Sequence, residues 1–158
     1  MSKKTGFTIT LEDSALSKQI DEAMKRNPKE TVLAVRSCLQ DLAGRSARIA
    51  PIESGDLRND CAASLNGTSI FAKQTKMSNH TAGSLQASGE VSYGLPYALR
   101  QHEDLSLPHD RTDGYRRADG STVNIIPGGQ AKFLEKPFEQ NKARYLSRLQ
   151  RIPTEVVK

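Results

Sequence analysis

At 158 residues, with 36% apolar side chains, four Phe, four Tyr and no Trp, the chain has material for one lean core and too little for a second. Its formal charge of +5 is spread along the whole chain, with no basic run longer than Lys3-Lys4 or Arg116-Arg117, and reads as a solvated surface more than a nucleic-acid tail. No apolar stretch approaches the roughly 18 residues of a membrane span. The N-terminus lacks the apolar segment of a secretion signal, and Cys38 and Cys61 have no CxxC spacing, so a soluble protein with reduced thiols and no membrane partner is expected.

Residues 7–10, Phe-Thr-Ile-Thr, alternate like a short strand, and Thr10 with Asp13 can form a capping pair for a helix whose apolar face is Leu11, Leu16, Ile20, Ala23 and Met24. Asn27-Pro28-Lys29-Glu30 is a stronger start signal: Asn27 can cap and Pro28 suits the first helical position. Val32, Val35, Leu39, Leu42, Ala43 and Ile49 keep helical spacing over about five turns. That helix should end at Ala50, just before Pro51.

The turn Ala50-Pro51-Ile52-Glu53-Ser54-Gly55-Asp56-Leu57-Arg58 then aims the chain from helix to sheet, with Gly55 available for a backbone angle that a residue with a Cβ resists. Cys61, Ala63 and Leu65 alternate with polar neighbours, Asn66-Gly67 is a favoured hairpin turn, and residues 68–73 can return antiparallel. Residues 73–83 are polar and without periodicity, which suits a mobile connection or the tip of a long hairpin. Leu85, Ala87, Gly89 and Val91 resume a strand that Tyr93 continues. Pro96 should stop it and stand in the first turn of a short helix, with Tyr97, Ala98 and Gln101 on one face and Arg100, His102 and Glu103 turned elsewhere.

Residues 104–129 form a second polar, turn-rich connection, long enough to be functional or mobile, with a strand expected at 123–126. Lys132 to Pro137 open a last helix whose face is Phe138, Tyr145, Leu146, Leu149 and Ile152; Pro137 must either kink it or start its longer part, and Pro153 ends it. Residues 1–158 are therefore expected to make a single domain with two loose connections.

Convergent chemistry is sparse. His102-Glu103-Asp104 and His109-Asp110 are the densest titratable cluster, but His109 lies seven residues beyond His102 and past Pro108, so the HExxH spacing that sets two imidazoles on one helical face is missing. The plainer expectation is that His102 and Glu103 close a short helix and bond to backbone or to a neighbour. Neither cysteine has a nearby His in sequence, and Gly128-Gly129-Gln130-Ala131-Lys132 lacks the Walker spacing. No cofactor, metal or catalytic residue is expected. Arg111, Arg116 and Arg117 can contact phosphate or the acidic side chains of another protein.

Three segments in fixed order carry a resemblance. Ala50-Pro51-Ile52-Glu53-Ser54-Gly55-Asp56-Leu57-Arg58 resembles the Ala-Pro-x-x-Thr-Gly-x-Leu-Arg segment of the tailed-bacteriophage minor capsid and head-tail joining proteins, also called tail completion or neck proteins, with Ser54 in place of the Thr. Tyr97-Ala98 with Gln101-His102-Glu103 is similar to their Tyr-Ala-x-x-x-His/Glu segment, and Ala131-Lys132-Phe133-Leu134-Glu135-Lys136-Pro137 resembles the opening of their last helix. The resemblance implies an α+β fold, a small antiparallel β-sheet packed against a long helix from the N-terminal half and a C-terminal helix. It gives Pro51, Ser54, Gly55, Leu57, Arg58, Tyr97, Ala98, His102, Glu103, Phe133, Leu134 and Pro137 structural roles. It also implies a virion protein without catalysis, assembled in the bacterial host cytoplasm as a homo-oligomeric ring at the head-tail junction. Its partners there are portal or head-completion proteins and the tail tube or tail terminator, with DNA in the lumen as a secondary contact.

Two other classes stay open on the residues alone. One is a small nucleic-acid-binding protein using the basic loop at 111–117. The other is a metal-dependent hydrolase using His102 and His109.

Overall fold

The computed structural model describes residues 13–51, 56–72, 87–107, 115–116, 119–120, 122–123 and 129–156. The strand expected at 7–10, Leu11, Ser54 and Gly55, the connection at 73–83, Leu85, His109, Arg111, Arg117 and residues 124–126 lie outside these.

The chain is α+β, with helices packed on a small antiparallel sheet. Helix α1 (Ser14–Arg26) is capped by Asp13, whose carboxylate accepts the Leu16 N–H at 2.8 Å. Asp13 is thus the cap itself, and its carboxylate also pairs with Lys142 of the last helix. Asn27 serves two helices at once: its backbone N–H closes α1 on the Ala23 carbonyl, and its side-chain oxygen accepts the Glu30 N–H at 3.2 Å to open α2 (Pro28–Ile49). One polar residue between two helices satisfies orphan groups at both ends, which lets the chain reverse with no longer loop.

Helix α2 is the spine. It packs against α1, the last helix and the sheet, and its buried face is Thr31, Val32, Ala34, Val35, Leu42, Ala43, Ser46 and Ala47. Among the described residues, seven of the 22 in the hydrophobic cluster are alanines, so this core is built by close approach of backbones more than by bulk.

Helix α3 (Asp56–Asp60) leads into β1 (Ala62–Leu65), which is the central strand of the order β2-β1-β3, with β2 (Thr68–Ala72) and β3 (Gly89–Ser92) both antiparallel to it. The Asn66-Gly67 turn joins β1 and β2 with φ of +50° and +78°, the left-handed pair that a two-residue hairpin needs. A bulge follows. Ala63 faces Phe71 and Ser64 faces Ser69, leaving Ile70 between the pairs, fully buried, with its carbonyl accepting from Gln40 Nε2 of α2 at 3.0 Å. The bulge thus turns an apolar side chain inward while a helix side chain satisfies the carbonyl freed from the ladder.

Residues Tyr115–Arg116 (β4) and Thr122–Val123 (β5) form a separate two-stranded pair. The last helix, α5 (Glu135–Gln150), buries Pro137, Phe138, Tyr145 and Leu149, followed by Ile152. Pro137 stands in its first turn, where a missing N–H costs nothing, so it starts the helix instead of kinking it. Helices α2 and α5 are tied by Asp41, whose carboxylate accepts from Tyr145 Oη at 2.7 Å and pairs with Arg45 at 2.9 Å and with Arg144.

Sheet and spine meet at a buried polar contact: Ser46 Oγ and Tyr93 Oη lie 2.6 Å apart, with Ser46 fully buried and Tyr93 1% exposed. Burial pushes the Tyr93 hydroxyl well above its ordinary pKa, so it stays a neutral donor. The two partners are not equivalent when cut. Without Tyr93 Oη, the Ser46 hydroxyl can turn to the carbonyl four residues back in its own helix; without Ser46, the Tyr93 hydroxyl keeps only the Cys61 thiol, a weak partner, beside it. Ser46→Ala is therefore expected to cost about 1–3 kcal/mol, Tyr93→Phe less, and the double variant less than Ser46→Ala alone. Urea unfolding of the three variants measures the order; equal costs for the two single changes would contradict it.

Candidate functional site

Two of the segments singled out in the sequence, 97–103 and 131–137, meet where α4 (Ala98–Glu103) and the turn at 130–134 converge. The Arg58 Nε–H donates to the Ala50 carbonyl at 2.7 Å, tying α3 to the end of α2, and Leu57 and Pro51 are buried beside it. The Asp60 carboxylate accepts the backbone N–H of Leu95 at 2.8 Å and that of Gly94, fixing the bend from β3 toward α4. The turn itself is hung on two earlier elements: Gln130 N–H donates to the Ile49 carbonyl at 2.8 Å and Lys132 N–H to the His102 carbonyl at 2.7 Å. Lys132 takes a left-handed φ of +56°, which turns the chain sharply into α5.

Helix α4 corrects the expected face. Ala98 and His102 are buried, while Tyr97 is 43% exposed. The helix begins at Ala98 with Tyr97 as its cap, and a buried residue at i places the next at i+4, which is His102. Pro96 precedes this helix, in the turn where the Ala98 N–H donates to the Leu95 carbonyl at 3.0 Å.

His102 is 1% exposed and bonded through both ring nitrogens. The Glu135 backbone N–H, at the start of α5, points to Nε2 at 3.4 Å, and Nδ1 lies 2.7 Å from Glu103 Oε1. An N–H aimed at Nε2 requires a lone pair there, so the bonding pattern assigns the proton to Nδ1, which donates to the carboxylate. Helix α5 has no capping side chain of its own, and His102 supplies the acceptor from a different element. Lys132 Nζ pairs with Glu103 and, at 3.2 Å, with Glu135. Phe133, fully buried, stands edge-on to two rings, Tyr93 at 4.9 Å and 76° and His102 at 5.0 Å and 87°. Leu134 is buried next to it.

Donor atoms of His102, Glu103 and Glu135 lie within 4.8 Å of one another, the compactness of a metal-ligand set. The chemistry is different, because the ammonium of Lys132 already bridges the two carboxylates and neither ring nitrogen has a free lone pair. A divalent ion would have to displace the lysine and break one of the two imidazole bonds. What the group can do is hold α4, the 130–134 turn and α5 together.

Of the residues expected to matter, Pro51, Leu57, Arg58, Ala98, His102, Glu103, Phe133, Leu134 and Pro137 fall on or around this junction. Arg116 lies in β4. Lys132 and Glu135 escaped notice as a pair with Glu103. Their i, i+3 spacing at a helix start was a visible cue, but nothing in the sequence placed Glu103 against them.

The fold and site define a class, an α+β body whose long second helix and last helix are linked through a strand-to-helix joint. No protein-family model matches the chain, and no curated protein or solved structure matches it significantly.

Burial holds the His102 pKa below its ordinary value, with the Lys132 charge acting in the same direction and Glu103 and Glu135 opposing. The unfolded chain then takes up a proton near pH 6.5 that the native chain resists, so stability is complete above that pH and falls as pH drops toward the native value. The Glu103 carboxyl lies below its ordinary range, held there by Lys132 first and His102 second, and so contributes its own pH dependence only in more acid solution. The urea midpoint of the wild type should fall between pH 7.5 and 5.5. In His102→Gln, whose amide oxygen can still accept the Glu135 N–H, the midpoint should be lower at pH 7.5 yet flatter across this window. An unchanged slope would remove His102 from the account.

Proposed function

We propose that the chain is a structural virion protein of a tailed bacteriophage, a head-tail connector or tail completion component that works by docking copies of itself into a ring at the neck. The observation that carries this reading is the surface of α4. Among the described residues, large exposed apolar side chains are Leu33, Tyr97, Leu99, Leu105 and Val156, and three of these five lie on α4 and its two flanks. Single exposed apolar residues are ordinary, but three within nine residues of chain, around one short helix, suit a contact region. The helix is braced from behind by His102, so this surface is presented in one conformation.

The resemblance of residues 50–58, 97–103 and 131–137 to head-tail joining proteins supports this choice of particle, and the packing of residues 97–103 on 131–137 gives those two segments a common structural purpose. Portal or head-completion proteins on one side and the tail tube or terminator on the other are the proposed partners, with the host cytoplasm as the place of assembly. No helix among the described residues is long and apolar enough to cross a membrane.

A ring of this kind needs subunit contacts of at least about 1,000 Å². Leu99→Asp with Leu105→Asp should leave the thermal midpoint within about 2 °C of wild type, since exposed substitutions change stability little. The same variant should fail to join heads to tails in a phage whose own copy is deleted. Electron microscopy of that deletion should show full heads beside finished, unattached tails. Normal particles from the deleted phage would end the proposal.

A further inference from the structure

An apolar groove of about 160 Å³ lies between α1, α2, α5 and β3, with Leu16, Ile20, Leu39, Leu42, Phe138 and Val91 in its wall. It reaches the surface at β3, where Gly89 and Glu90 are exposed, and β3 is an edge strand of the sheet among the described residues. A Cβ on Gly89 would meet Leu39 Cδ1 at 2.3 Å, so the bare glycine lets the Leu39 side chain lie against the strand and form part of the groove wall. An apolar cavity of about 150 Å³ takes one benzene ring.

The chain enters the described structure beside this groove. Asp13 caps α1, and Leu16, three residues on, is in the wall. The twelve residues before Asp13 carry Phe7, Ile9 and Leu11 in strict alternation, with Phe7 their one aromatic ring. Alternation sets all three on one side of an extended segment. From Phe7 to Asp13 an extended chain reaches up to about 20 Å. Ile20, at the far end of the α1 wall, lies only about 10 Å along the helix from its start. The segment is long enough to fold back over its own helix. Glu90 at the rim also offers an opposite charge to Lys3-Lys4, just upstream.

We propose that residues 7–11 seat in this groove of their own chain, with the Phe7 ring in the cavity and Ile9 and Leu11 on the same side against α1 and β3. The segment then completes the core and covers the outer edge of β3, which would otherwise be open to pairing with another chain. The proposal does not depend on the phage reading.

In the full-length protein, Phe7→Ala should lower the thermal midpoint by about 5 °C or more, as for a buried aromatic lost from a chain of this size. Thr8→Ala, on the opposite side of the segment, should leave it near wild type. Saturating benzene should raise the midpoint of Phe7→Ala and leave wild type unchanged. Nuclear Overhauser contacts from the Phe7 ring to the methyls of Leu16 and Leu39 should appear within single chains in a mixture of labelled and unlabelled protein. Equal midpoints for Phe7→Ala and Thr8→Ala, together with absence of those contacts, would overturn the proposal. So would contacts seen only between labelled and unlabelled chains, which would make a second copy the occupant.

Discussion

A neutral imidazole, wedged between a carboxylate and the start of a helix, is the constraint through which the strand-to-helix joint holds the last helix. His102 accepts the Glu135 N–H and donates to Glu103, so its orientation is set from both sides. The same residue gives its carbonyl to Lys132 and its ring edge to Phe133. Phe133 in turn stands against Tyr93, whose hydroxyl meets Ser46 on α2. One continuous line of contacts therefore runs from the spine through the sheet and the strand-to-helix joint into α5. A charged imidazole would present a cation to the positive end of that helix and lose the acceptor that the first turn needs.

This arrangement answers the shortage of apolar bulk. With alanine so frequent in the core, burial area per residue is small, and close approach of α2 to its neighbours must supply dispersion contacts in its place. Close approach brings backbone and polar groups inside, and each needs a partner. Gln40 takes the bulged Ile70 carbonyl, Arg58 the end of α2, and Asp60 the N–H groups at the bend. Asp41 shows the balance. Burial works to raise its pKa, yet the Tyr145 hydroxyl and the charges of Arg45 and Arg144 hold the carboxyl below its ordinary range. The polar contacts thus cluster where helix meets helix and helix meets sheet, not at random on the surface.

Local signals carried the elements well. Asn27 followed by Pro28 announced α2, Pro51 its end, and Asn66-Gly67 the hairpin, because each depends on backbone angles and capping that a few adjacent residues decide. The long polar connections gave no such signal and stayed illegible. The buried face of α4 was misread for a different reason. Its phase depends on whether the helix starts at Pro96 or Ala98, and a shift of two residues rotates a helix by about 200°. The sequence did suggest that His102 and Glu103 would bond to a neighbour or to backbone. That the neighbour is Lys132 and the backbone group belongs to Glu135 is a fact of tertiary packing, about 30 residues away along the chain. The bulge at Ile70 was invisible too, since a pattern of alternation has no mark for one inserted residue.

Rigidity behind a surface changes what the surface can do. Helix α4 is only six residues long and would be marginal alone, because so short a helix forms few of its own hydrogen bonds. Its order comes from outside: Asp60 fixes the approach, Ala98 and His102 anchor the inner side, and Lys132 holds Glu103. Tyr97 and Leu99, exposed on either flank of that anchored side, thereby take fixed positions without having to be ordered by whatever they meet. Association normally loses free energy to the ordering of loops and side chains at a contact. A short helix locked from within has met that cost during folding, so whatever meets this surface meets it already ordered.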